Sequence, residues 1–259
     1  MGWLPFVLRG KLRGMSGTLS FPQTQWTQLN LLRGGNDSER NDAMSTLYQL
    51  YRRPILAFLA GRGFAQERAE DLVQDFFLHA ITHQLFEKAD ALRGKFRSLM
   101  LSALQHYAAN AHRHEQAQRR RPAGGFVAAD ELMAEGGNTA MLGIERGTPE
   151  QAFIKSWAQT LLKRVVKSLE AECLRTGKQT HFQIFHRSIL APILEGAAAP
   201  SQRDMAAELG LTEKEVANRL VTARRAYQRL LRAEVASYAS SEEDVDAEIR
   251  ELFQQLSRP

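Results

Sequence analysis

The side chains in this 259-residue chain best placed to do chemistry are cations, amides and carboxylates set at helical spacing. The chemistry they suit is recognition of an anionic polymer and of a protein partner, not bond-making. In the stretch 203–232, Thr212, Lys214, Asn218, Arg219, Arg224 and Arg225 fall on the outward side of a basic helix. Amide and guanidinium groups in such a position reach base edges and phosphates in a major groove. The stretch 93–121 holds seven Lys or Arg against one acid, Glu115. There Arg97, Gln105, His106, Asn110 and Arg113 suit hydrogen bonds to bases or sugars, and Arg119, Arg120 and Arg121 suit phosphates. Phe96 and Tyr107 offer rings on which an unpaired base could stack, although their spacing assigns both mainly to a core. The stretch 64–75 is the opposite, with four acids against Arg68 alone. Glu70, Asp71, Gln74, Asp75 and Leu78 gather near one edge of its helix, a pattern suited to docking on a basic helical partner.

Other chemistries find little support. His112 and His114 are two apart on a helix and share no face, which discounts a metal site with His106. His79 and His83 are one turn apart but lack the HExxH pattern. No nucleophile–base pairing or phosphate-cradling glycine loop occurs, so neither an enzyme nor a cofactor is expected. The single cysteine, Cys173, excludes an internal disulfide and a thiolate cluster. It falls on an apolar helical face and reads as a small core residue in a protein of a reducing cytoplasm. Net charge is only +5, so the segregation of charge matters more than its sum. No window reaches transmembrane length, and the WLPFVL run is too short and interrupted for a secretory signal.

The elements that must position these groups are all helical. Asn41–Ala60 carries Leu47, Leu50, Tyr51, Ile55, Phe58 and Leu59 at helical spacing, with Pro54 as a bend. Helices over about 66–83 and 95–119 follow. Residues 121–148 lose the period and are rich in Gly and Ala, as a linker is, with a short helix near 130–134. Thr148, Pro149 and Gln151 then form a helix start signal. Phe153, Ile154, Trp157, Leu161, Val165, Leu169 and Cys173 make the stripe of that helix. Another spans about 180–194, with Phe182, Phe185, Ile189 and Ile193 inward and Pro192 disturbing its last turn.

Residues 203–232, RDMAAELGLTEKEVANRLVTARRAYQRLLR, read as a helix-turn-helix. Ala206 permits close approach, Gly210 the positive φ of the turn, and Val216 packing between the two helices. A last amphipathic helix follows Ser240 and Ser241, with Val245, Ile249, Leu252, Phe253 and Leu256 inward. The expected architecture is all-α, two helical domains joined by a flexible linker. Its parts are a poorly ordered leader over 1–25, a first domain over 26–120, the linker 121–148, a helix-turn-helix domain over 149–236 and a helical extension over 237–259.

Three motifs in this order resemble sigma factors of the extracytoplasmic-function type within the sigma-70 superfamily. AEDLVQDFFLHAI is similar to their polymerase-binding helix. GKFRSLMLSALQHYAANAHRHEQAQRRR is similar to their −10-reading and melting helix, and DMAAELGLTEKEVANRLVTARRAYQRLL to their −35-reading helix-turn-helix. The leader FPQTQWTQLNLLRGG and the tail AEVASYASSEEDVDAEIRELFQQL resemble those of a subgroup associated with Ser/Thr kinases. The likeness spans about residues 20–256.

It implies a cytoplasmic protein that binds core RNA polymerase through Glu70, Asp71, Gln74, Asp75 and Leu78. It further implies contacts of Phe96, Arg97, Gln105, His106, Asn110, Arg113, Arg119, Arg120 and Arg121 with −10 promoter DNA. Thr212, Lys214, Asn218, Arg219, Arg224 and Arg225 would contact the −35 element. An anti-sigma factor or a Ser/Thr kinase enters as a candidate regulator, with hydroxyls in the linker and over 237–241 as candidate targets. Gln105-His106 stands where many relatives carry Arg-Asn, and Asn110 where many carry Asp, which leaves the −10 preference open. The stretch LEAECLRTGKQTHFQIFHRSIL lacks the usual LPxxxRxVxxL pattern, so contacts made there in relatives are not carried over. The alternative is a stand-alone helix-turn-helix regulator with residues 41–120 as a dimerisation or sensing domain.

Overall fold

The computed structural model describes residues 25–86, 88–89, 96–120, 147–237 and 242–257, and every regular element among them is helical. The protein is all-α. The chain runs α1 (Gln25–Gly34), α2 (Asp37–Gly61), α3 (Gln66–Thr82), α4 (Phe96–Arg120) and α5 (Pro149–Arg175). It continues as α6 (Gln179–Phe185), a π-helical turn (His186–Leu190), α7 (Ala191–Leu194), α8 (Gln202–Leu209), α9 (Glu213–Ala236) and α10 (Glu242–Ser257). The expected linker and its short helix over 130–134, and the Ser240-Ser241 cap, lie outside the described residues.

Local signals explain most boundaries. α2 begins at Asp37, earlier than its apolar period, because Asn36 and Glu39 close a capping box. Asn36 Oδ1 accepts from the Glu39 N–H at 3.0 Å, and the Glu39 carboxylate accepts from the Asn36 N–H at 2.9 Å. Gly35, just before it, is a close approach: a Cβ there would sit 2.5 Å from the Leu31 carbonyl oxygen. Pro54 remains inside α2 and buried, so it ends no element. At α5 the Gln151 N–H donates to Thr148 Oγ1 at 3.2 Å and the Thr148 N–H to Gln151 Oε1 at 3.0 Å, the reciprocal cap that the sequence signals.

The helix expected over 180–194 is divided. Pro192 has no N–H to give the Ser188 carbonyl, and the turn before it widens, with the Ala191 N–H bonded to the His186 carbonyl. The extra residue shifts the helical phase. Ile193, expected inward, is therefore 64% exposed, whereas Phe185, ahead of the turn, and Ile189, within it, are buried.

The fold divides into two compact units, and the division falls inside α5, between Thr160 and Leu161. The first unit comprises α1–α4, the start of α5, and α10. This differs from the division at 148/149 expected from sequence, and it places the extension with the first helices. Side chains give the reason. Tyr51 of α2 meets Phe96 of α4 edge-on at 5.6 Å and stacks with Phe153 of α5 at 6.3 Å. Phe76 of α3 meets Tyr107 of α4 at 5.5 Å, and Tyr48 meets Phe77 at 5.0 Å. Val245, Ile249 and Leu252 of α10 are buried, and Glu248 of α10 pairs with buried Arg97 of α4. The early part of α5 and all of α10 thus carry apolar and ionic groups that the first unit buries.

The second unit runs from Leu161 to Val235. Leu169 and Cys173 of α5, Ile184 and Phe185 of α6, Ile189 and Leu190 of the π turn, Met205 and Ala206 of α8, and Val216, Leu220 and Ala223 of α9 form one buried cluster. Tyr227 lies 5.3 Å from Phe185, and burial pushes its phenol up to about 12. Both oxygens of Glu172 accept from Arg229 at 2.6 Å, joining α5 to α9 at the rim of this core. Burial likewise pushes the Cys173 thiol up.

Gly210 makes the turn between α8 and α9. Its φ of +64° is left-handed, its N–H donates to the Ala206 carbonyl, and the next N–H, of Leu211, donates to the same oxygen at 2.9 Å. Nothing lies within 4 Å of a Cβ placed there, so Gly210→Ala carries only the backbone penalty. The expected loss is about 1–2 kcal/mol, read from urea unfolding of the two proteins side by side; an unchanged midpoint would contradict it.

Candidate nucleic-acid and partner-binding surfaces

α8 and α9 form a helix-turn-helix pair. Ser201 caps α8 by accepting from the Asp204 N–H at 3.1 Å. Thr212 caps α9: its Oγ1 accepts from the Glu215 N–H at 3.2 Å, while Glu215 Oε2 accepts from the Thr212 N–H at 2.8 Å and from its hydroxyl at 2.9 Å. These bonds hold the Glu215 carboxyl below the usual glutamate range. Met205, Ala206, Val216 and Leu220 are buried between the two helices and the rest of the unit.

Of the residues expected to face DNA on α9, Lys214, Asn218 and Arg225 are exposed. They sit at positions i, i+4 and i+11, one stripe of a helix. Val221, at i+7 on the same stripe, is 44% exposed. It was not among the expected contacts, although its spacing from Lys214 and Asn218 marks it. An exposed apolar group there suits the methyl of a thymine. The other three expected residues are placed differently, Thr212 exposed at the start of α9 and Arg219 and Arg224 half-buried. Thr212 is engaged in the cap. Arg219 is half-buried near His181, whose imidazole is held below the ordinary histidine value by burial and by the charges of Arg219 and Lys178. Arg224 is half-buried too, and desolvation lowers its pKa.

On α4 the described residues show part of the expected basic face. His106, Asn110 and Arg113 are exposed at spacings of four and three, and Arg113 donates to Asn110 Oδ1. Gln105 is turned to the neighbouring α5, donating to Glu150 Oε1 at 3.0 Å, where Arg62 also binds at 3.1 Å. Glu150 is accordingly held low, chiefly by Gln105. Phe96 and Arg97 do not belong to an exposed face. Phe96 packs on Tyr51 and Phe86, and Arg97 is 6% exposed. Their position at the first turn of α4 turns them into the core, where Arg97 pairs with Glu248 of α10. Tyr107 is half-buried between Phe76 and His79, and burial raises its pKa. The side chains of Arg119 and Arg120, and Arg121 altogether, lie outside the described residues.

On α3, Ala69, Leu72, Val73, Phe76 and Ala80 are buried as the pattern requires, and Phe77 joins them. Asp71, Gln74, Asp75 and Leu78 are exposed at i, i+3, i+4 and i+7. Glu70 is half-buried, paired with Arg52 of α2 at 2.5 Å. Leu78 is 63% exposed and Ile81, one turn further on, 49%. Ile81 continues the stripe and was missed because it ends the apolar run of the motif. The helix thus shows a mixed edge, acidic first and apolar last.

Among the described residues no group of three or more His, Cys, Asp or Glu is arranged to hold a metal ion, and no helix is long and apolar enough to cross a membrane. Neither a known family model nor a curated protein matches the chain.

Protonation of Glu215 should loosen the start of α9. Its folded pKa is depressed, so the cap's contribution is present above the unfolded value of about 4.3 and is lost as pH falls through the lower folded value. The amide resonance of Thr212 should titrate in that window and stop doing so in Glu215→Gln; an amide insensitive to pH in the wild type would refute the coupling.

Proposed function

We propose that this chain is a promoter-specificity subunit of bacterial RNA polymerase, a cytoplasmic sigma factor that docks on core polymerase and reads −10 and −35 DNA. The observation that carries the proposal is the exposed stripe Lys214, Asn218, Val221 and Arg225 on the second helix of a helix-turn-helix. It combines a cation at each end with an amide and a methyl-bearing residue between, the mixture that reads a major groove. Two other exposed faces extend the reading from a DNA binder to a polymerase subunit. The acidic-to-apolar edge of α3 suits a basic, amphipathic helical partner. His106, Asn110 and Arg113 suit an unpaired strand's phosphates and base edges. The protein carries out no bond chemistry in this role and needs no cofactor. Polymerase supplies the frame on which two weak DNA contacts gain from effective concentration. An anti-sigma factor or a Ser/Thr kinase belongs to the same proposal as regulator.

One observation favours the second reading, a stand-alone regulator: the helix-turn-helix lies in a compact unit with its own core. That reading predicts tight duplex binding by the isolated protein and leaves the α3 edge without a task.

Run-off transcription with purified core polymerase, with and without the protein, on DNA from its source decides between them. New discrete transcripts that disappear with Asp71→Arg are expected; tight duplex binding without stimulated transcription would sink the proposal in favour of the regulator. Lys214→Ala and Arg225→Ala should each weaken duplex binding and reduce the salt slope by about 0.9. A slope unchanged in both variants would remove these residues from the phosphate contacts.

A further inference from the structure

A second basic cluster lies beside the recognition helix, off its exposed stripe. On α6, His181 falls three and four positions before Ile184 and Phe185. On α9, Arg219 falls three after Val216 and four before Ala223. Those four apolar residues belong to one buried core, so the helical faces that meet there bring His181 and Arg219 together at its edge. Lys178 stands just before α6, and its carbonyl accepts from the His181 N–H at 2.9 Å. Lys178 is exposed, and His181 and Arg219 are half-buried.

Other cations of this unit are neutralised, Arg229 by Glu172 and Arg187 by Glu208. Among the described residues neither Lys178 nor Arg219 is held in an ion pair. Glu215, one turn before Arg219, commits its carboxylate to the Thr212 N–H and hydroxyl. Burial and the charges of Arg219 and Lys178 hold the His181 imidazole low, and no carboxylate is among the charges that act on it. His181 Nδ1 is buried without a hydrogen-bond partner. A ring nitrogen left unbonded and like charges left uncompensated are both costs that a bound anion removes. Phosphate suits the cluster, since its oxygens accept from an ammonium, a guanidinium and an imidazolium at once. Arg219 also adjoins Asn218 of the groove-facing stripe, and a helix lying in a groove has backbone phosphates along its flanks.

We propose that Lys178, His181 and Arg219 form a phosphate site on the flank of α9, which takes a backbone phosphate of duplex DNA beside the Lys214–Arg225 stripe. This rests on the reading of α8 and α9 as a duplex-binding pair, and it adds a contact from the start of α6, outside that pair. Filling the site reverses the balance at His181. A phosphate among the three groups favours the charged imidazole, so binding takes up a proton. The free-state value is low and the bound-state value higher. Affinity therefore rises as pH falls through the bound-state value, and the gain levels off below the free-state one.

The test uses the full-length protein at low ionic strength, a fluorescent duplex of mixed sequence, and inorganic phosphate. The His181 ring proton, assigned by its loss in His181→Gln, is followed through a pH titration. Its pKa should rise when duplex is added, and should not rise in Lys178→Gln with Arg219→Gln. That double variant should bind duplex about tenfold more weakly, with a log–log salt slope shallower by about 0.9 for the one phosphate lost. His181→Gln should bind as the wild type does at high pH and lose the tightening at low pH. A rise with inorganic phosphate but none with duplex would make free phosphate the ligand and overturn the assignment to DNA. A His181 pKa that neither one moves overturns the site itself. Should the double variant lose helical content, Lys178→Gln alone, at an exposed position, is read in its place: a smaller loss of affinity is expected, and none overturns the proposal. The two levels separate cleanly. A wild type that binds no duplex at any pH defeats the reading on which this rests, whereas binding that Lys214→Ala weakens, with His181 unmoved, defeats the phosphate site alone.

Discussion

The first unit is organised around one buried cation. Arg97 cannot stand unpaired in an interior, because an isolated charge out of water is far costlier than any contact it replaces. Its pairing with Glu248 therefore ties α10 to α4, and its place over Trp157 ties both to α5. Tyr51, between Phe96 and Phe153, continues the same junction into α2. Helices separated by some 150 positions in the chain are thereby brought into one core. The apolar stripes alone would leave their register loose, since aliphatic surfaces slide at little cost. The ion pair specifies which turn of α10 meets which turn of α4.

Burial has edited the surface that remains outside that core. Charged residues near an interface were drawn into pairs with neighbouring helices: Glu70 with Arg52, Arg68 with Glu115, Glu150 with Arg62 and Gln105. Three exposed stripes follow the helical period, Asp71 to Ile81 on α3, His106 to Arg113 on α4, and Lys214 to Arg225 on α9. Each mixes charge with amide, imidazole or aliphatic groups.

The elements were legible wherever the apolar period was strong. α3, α4 and the start of α5 fall within a residue or two of expectation, and the turn at Gly210 has the conformation that its glycine demanded. Legibility failed where a residue's fate depended on a partner distant in sequence. Arg97 reads as a surface cation beside Lys95, because nothing nearby announces Glu248. The cap that Thr212 makes with Glu215 was legible and missed, since a Thr followed three positions later by Glu is itself a capping signature. The division inside α5 was hidden for the same reason as the place of Arg97. Its stripe is continuous from Phe153 to Cys173, and periodicity does not say that successive turns serve different cores.

The π turn at His186–Leu190 carries a consequence for the chain's tolerance of length changes. It stores one residue more than a regular helical turn, so it behaves as a local surplus in the count of residues between α6 and the helix-turn-helix. Losing a single residue within it would return the turn to the ordinary helical count and absorb the deletion on the spot, against the cost of Pro192 in the following turn. The same loss inside α9 would rotate everything beyond it by about a quarter turn and scatter the Lys214–Arg225 stripe around the helix. Evolution can therefore shorten this part of the chain at one place cheaply, and that place adjoins the recognition element without belonging to it.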